Sequence, residues 1–100
     1  MTTLAEDLAR DRRIIILRAL VEPNGMMLNE TIIKAMVNRF GHNVGRDVVR
    51  GDLCWLEEQR LVRVEKLDTE RGEFWVAHLT NDGEEVAQGR KHPGVARRAD

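Results

Sequence analysis

The sequence predicts a single α+β domain in which three helices precede a β-hairpin and a short fourth helix closes the chain. Three observations predict it. Apolar residues recur at helical spacing in three stretches before residue 60, the pattern changes to alternation after it, and short polar turns mark the joins. The chain has 100 residues, 42 % hydrophobic and 33 % charged, which suits one domain with one core. Lys and Arg number 16 against 17 Asp and Glu, a net charge of −1. That balance excludes a disordered chain and argues against a nonspecific nucleic-acid coat, which needs a large positive excess.

The first helix is expected from about Thr3 to Glu22. Thr3 and Glu6 have capping-box spacing, with Leu4 and Leu8 one turn apart. At 100° per residue, Leu4, Leu8, Ile15, Ile16 and Ala19 share one broad face, while Ile14, Leu17 and Val21 form a second stripe. Two apolar faces admit two readings: a helix packed from both sides, or a homodimer seam at Ile14, Leu17 and Val21. Glu22-Pro23-Asn24-Gly25 is a turn, and Met26-Met27-Leu28 has the length of a short strand. Asn29 caps a second helix whose apolar side is Ile32, Ile33, Met36, Val37 and Phe40, with Glu30 suited to the helix dipole and Gly41 as terminator.

After the tight connection His42-Asn43-Val44-Gly45, a third helix is expected from about Arg46 to Gln59. Its apolar arc is Val49, Leu53 and Leu56, and Arg46, Asp47, Arg50, Gly51, Cys54, Glu57 and Glu58 lie opposite. Leu61–Leu67 and Glu73–Leu79 read as two strands joined by a five-residue polar tip, Asp68 to Gly72. Trp55, Phe74 and Trp75 are expected to join the third helix to this hairpin. Thr80 caps a last helix, Asn81 to Gln88.

Two helices joined through a short Gly-containing turn and followed directly by a hairpin make a winged helix-turn-helix: a three-helix core, a β-hairpin wing and a short C-terminal helix. Residues 1–89 are expected to form that domain, and residues 90–100 a flexible basic tail. The run from Gly45 to Val62 (GRDVVRGDLCWLEEQRLV) resembles the recognition-helix-to-wing segment of MarR/ArsR-type regulators, and Leu79-Thr80-Asn81-Asp82-Gly83 is similar to the junction after their wing. From about Leu17 to Val95, including Pro93-Gly94-Val95, the chain resembles the small winged-helix proteins of Mu-like phages and prophages. One departure concerns Arg60. It stands at the helix exit where those families place Gly, and a left-handed Arg carries strain.

The resemblance implies DNA binding, and helix geometry places it at the start of the third helix, whose N-terminal residues would enter a major groove. Arg46 and Arg50, one turn apart, are the expected readers, with Gly51 allowing close backbone approach and Asn43 and His42 donating to phosphates. The alternative is that both arginines are solvated and paired with Asp47 and Glu57. Arg71 is the best wing candidate, although the wing carries three cations against four acids. Arg90, Lys91, Arg97 and Arg98 of the tail are further phosphate candidates. The expected partners are double-stranded DNA and a second copy of the chain. The competing function is a winged-helix protein-interaction module that binds no DNA.

No enzyme is expected. His42, His78 and His92 are scattered, Ser is absent, and no Gly-rich phosphate loop occurs. No cofactor or metal is expected, because the single Cys54 excludes a Cys₂ or Cys₄ zinc site as well as an intrachain disulfide. The N-terminus has mixed charge and no apolar signal core, and the run Ile14 to Leu17 falls far short of the roughly 20 residues that span a bilayer. A cytoplasmic protein without membrane contact is therefore expected.

Overall fold

The computed structural model describes residues 2–97. Helix α1 spans Leu4–Val21, strand β1 Met27–Asn29, helix α2 Glu30–Arg39 and helix α3 Arg46–Glu58. Strands β2 (Val62–Thr69) and β3 (Gly72–Leu79) and helix α4 (Asn81–Ala87) follow. The three strands form an antiparallel sheet in the order β1-β3-β2. This is the winged helix-turn-helix the sequence predicts.

Local chemistry sets most helix starts. The hydroxyls of Thr3 and Thr80 and the side-chain oxygen of Asn29 accept the backbone N–H groups of Glu6, Gly83 and Ile32 respectively. Three helices are followed by a residue of positive φ, α4 by Gly89 at 124°. Gly41 follows α2 with φ 98°, and Arg60 follows α3 with φ 63°. At Arg60 the backbone closes as a Schellman turn, with Arg60 N–H donating to Glu57 and Leu61 N–H to Leu56. The anticipated strain at Arg60 is therefore present.

The wing is tighter than the sequence suggests. Thr69 pairs with Gly72, so Glu70 and Arg71 alone make the tip. The Thr69 hydroxyl accepts from Arg71 N–H and donates to the Gly72 carbonyl, and Gly72 takes φ 103°, which glycine adopts at least cost.

The core gathers Ile16, Leu17 and Leu20 of α1, Ile33 and Val37 of α2, and Leu53 and Leu56 of α3, all fully buried. Ile14 and Leu17 lie inside this core, so they are not a seam for a second copy; Val21, half-buried, borders the cleft between α1 and α4. The two apolar faces of α1 exist because the domain packs around its C-terminal half. Leu4 and Leu8, assigned by periodicity to the core face, are instead exposed, because the first two turns of α1 run beyond the body.

The C-terminal segment is docked rather than flexible over its described part. Val95 is buried in the core, Ala96 N–H donates to the Arg10 carbonyl, and Arg13 donates to the Gly94 carbonyl at 2.9 Å. Trp55 covers Gly94 so closely that a Cβ there would lie 2.3 Å from the indole ring. Residues 98–100, including Arg98, lie outside the described residues.

Candidate nucleic-acid interface

The turn before α3 is shaped by Asn38, whose amide donates to the Lys34 carbonyl and whose oxygen accepts Val44 N–H. Asn43 projects from this turn and is exposed. His42 is buried, and its Nε2 lies 2.7 Å from Asp11 Oδ2, so it braces α1 and does not face a ligand. Arg46, the first residue of α3, is exposed and has no ion-pair partner among the described residues. The helix begins at Gly45 without a side-chain cap, and around Gly51 the space beyond the backbone is open.

Arg50 does not share this surface. Its Nε donates to Glu30 Oε1 at 2.7 Å, and its Nη2 donates to Glu30 Oε2 and the Glu73 carbonyl, both at 2.9 Å. The Glu30 carboxylate, only 1 % exposed, also accepts Trp75 N–H at 2.8 Å, while the guanidinium stacks 4.6 Å from the Trp75 ring centroid. The expectation that Arg50 reads bases beside Arg46 is thus corrected: Glu30 desolvated inside the fold needs a cation, and Arg50 supplies it. The hydrogen bonds from Arg50 hold the Glu30 pKa below its ordinary value; burial opposes them, and the Trp75 N–H helps. The carboxylate in turn raises the Arg50 pKa. Sequence reasoning missed Glu30 because the pair is 20 residues apart and only the packing of α2 against α3 joins it.

The remaining α3 surface is not basic. Asp47 and Glu58 are exposed there, and Glu57, also exposed, accepts Val64 N–H at the base of the wing. A second buried pair, Arg12 with Asp52 at 2.6 Å, ties the inner side of α3 to α1. On the wing, Lys66 lies 4.5 Å from the Trp75 ring centroid, while Arg71 stands exposed at the tip. Among the described residues no cluster of His, Cys, Asp and Glu could hold a metal, and no helix is long and apolar enough to cross a membrane.

No family model matches the chain. Over 83 residues it is 51 % identical to the uncharacterized protein gp26 of Escherichia phage Mu, covering 83 % of this chain and 81 % of that one. The chain belongs to the gp26 family. An uncharacterized protein of Haemophilus influenzae is a further relative, 40 % identical over 75 residues, with 75 % of this chain and 70 % of the other covered. Among solved structures, the gp26-family chain is similar to a PadR family transcription regulator from Clostridium difficile, with a TM-score of 0.57 and 15 % identity. The match covers 76 % of this chain and 79 % of that one. At that identity the likeness is one of fold: this chain has the winged-helix architecture. The kinship with Mu-phage proteins read from the sequence is thus found in gp26 itself.

Proposed function

We propose that the protein binds double-stranded DNA in the cytoplasm, as a transcriptional regulator or a phage DNA-handling protein, through the N-terminal end of α3. Arg46 is the reader of the major groove. Asn43 and Arg71 hold phosphates, and Gly51 is where a duplex backbone passes nearest the helix. The observation that carries this reading is an exposed, unpaired Arg46 on an uncapped helix N-terminus, where N–H groups and the helix dipole favour a phosphate. The winged-helix fold and the MarR/ArsR-type pattern from Gly45 to Val62 support it. Arg50 contributes by fixing α3 against α2 and the wing. With so few free cations, one chain makes about 3–5 phosphate contacts, so binding is weak and salt-sensitive.

A second reading, a protein-interaction module, is favoured by a different surface. Ile32 and Phe40 of α2 are 45 % and 55 % exposed, and Leu28, Ile32, Met36 and Pro23 border an apolar cleft of about 290 Å³. A mobility-shift assay on random-sequence duplex separates the two. Duplex binding gives a shift that weakens as salt rises and is weaker in Arg46→Ala but unchanged in Ile32→Glu. The interaction module gives no shift at any salt.

A further inference from the structure

A cleft of about 540 Å³ lies between the first turns of α1 and the body, with Ala5, Ala9, Trp55 and Pro93 as apolar walls and Arg10, Arg13 and Glu6 as its charged lining. At about 100° per residue, Ala5, Ala9, Arg13, Glu6 and Arg10 fall within an arc of about 140°, so one flank of α1 supplies a whole wall. The free part of the apolar lining is aliphatic. The Arg13 guanidinium lies 3.7 Å from the Trp55 ring centroid, Gly94 packs on the ring edge, and His92 stands across it at 76°. What remains open is the methyl groups of Ala5 and Ala9 and the ring of Pro93.

The positive charge on this flank lacks an acceptor. Asp52 is the carboxylate whose charge acts on Arg13, but both its oxygens accept from Arg12. Arg13 donates Nη1–H to the Gly94 carbonyl, and the Arg10 side chain has no hydrogen-bond or ion-pair partner among the described residues. The Nε atoms of both arginines are buried and unpaired. Burial, then the charges of Arg12 and Arg10, lower the Arg13 pKa against the pull of Asp52. Two part-buried guanidinium groups three residues apart, short of acceptors beside an aliphatic wall, match a molecule with one anionic end and one apolar end. A carboxylate presents two oxygens to the guanidinium fork, and Arg10, held by no bond, is free to turn toward it.

We propose that this cleft binds a small aliphatic carboxylic acid as its carboxylate, with the charged end on Arg10 and Arg13 and the chain lying along Ala9 and Ala5. From Arg10 to Ala5 the helix runs about 7.5 Å, room for a short hydrocarbon chain. Glu6, one turn from Arg10 on the same flank, opposes the ligand by repulsion and by competing for that guanidinium. The bound acid touches α1, α3 through Trp55 and the C-terminal segment through Pro93, and the proposal stands whether or not the protein binds DNA.

Isothermal titration calorimetry on the full chain tests it, with sodium hexanoate and octanoate as ligands and hexanol and inorganic phosphate as probes of each half alone. Both acids should bind saturably, one per chain, and neither hexanol nor phosphate should match them. Arg10→Gln, at a side chain with no bond in the fold, should weaken octanoate about tenfold. Ala9→Leu fills the cleft and should abolish binding with helix content by circular dichroism unchanged. Glu6→Gln should tighten binding severalfold, because it removes the competing carboxylate. No saturable binding of either acid, phosphate or hexanol bound as tightly as octanoate, an affinity unchanged in Arg10→Gln or in Ala9→Leu, or weaker binding in Glu6→Gln overturns the proposal.

Discussion

The guanidinium of Arg50 meets the carboxylate of Glu30 edge to edge, at 2.7 and 2.9 Å, across the interface between α2 and α3. The same carboxylate receives the Trp75 N–H from β3, so one buried acidic group fixes the first residue of α2, the middle of α3 and the root of the wing. The two arginines at the start of α3 therefore have separate tasks. Arg50 orients the helix, and Arg46 is left to face outward.

That division predicts unequal costs. Arg50→Ala leaves a buried carboxylate without its cation and should lower the thermal midpoint clearly. Arg50→Lys should not restore it, since an ammonium cannot engage both oxygens in the same plane. Glu30→Ala leaves an Arg50 that still reaches water and an orphaned Trp75 N–H, for a loss of about 1–3 kcal/mol. Arg46→Ala, by contrast, should change stability by no more than about 0.5 kcal/mol. Calorimetric unfolding of the four variants gives this ranking directly.

The acid limb of stability should report the same carboxylate. Glu30 has its pKa held below the ordinary 4.5 in the folded chain, chiefly by the hydrogen bonds from Arg50. The unfolded chain thus takes up this proton first. Its contribution is full above pH 4.5 and is lost as pH falls below that through the folded value. Urea midpoints measured from neutral pH downward should fall in this window, and in Glu30→Gln the fall should be shallower. An identical acid limb in both proteins would separate Glu30 from it.

Arg60 sits at φ 63°, in the left-handed region that glycine adopts at least cost, and the residue is exposed. Arg60→Gly should relieve a left-handed conformation and raise stability by about 1 kcal/mol, read as a higher denaturant midpoint with unchanged slope.

The tail clasp depends on the lack of a Cβ at Gly94. Gly94→Ala should drive the segment off Trp55, and trypsin should then cleave after Lys91 faster than in the wild type. The clasp should also weaken in acid. Burial, then the charges of Arg90 and Arg13, lower the His92 pKa from 6.5, so the released segment binds a proton more readily. Docking is complete above pH 6.5 and is progressively lost below it, which cleavage rates with an acid-tolerant protease can follow.

Much of this fold is legible in the sequence because its signals are local. Thr3, Asn29 and Thr80 each cap a helix within three residues, Gly41 ends one, and alternation from Val62 announces the wing. What periodicity cannot show is where the body ends along a helix. Leu4 and Ile15 share a face of α1, but only Ile15 has a core beneath it. Nor can it show which of two arginines a distant acid claims. Arg46 and Arg50 look alike on a helical wheel, and Glu30 selects Arg50 through the tertiary fold alone. The docked Pro93-Gly94-Val95 segment was hidden for the same reason: its partners, Arg13 and Trp55, lie some 80 and 40 residues earlier.

The separation of tasks between the two arginines is tested most directly by fluorescence anisotropy of a random-sequence duplex titrated with wild-type protein and Arg46→Ala across a salt series. The account predicts that wild-type affinity falls steeply with salt and that Arg46→Ala binds more weakly throughout the series, by about 1–3 kcal/mol. Wild-type and Arg46→Ala curves that superimpose, or no binding even at low salt, would contradict it.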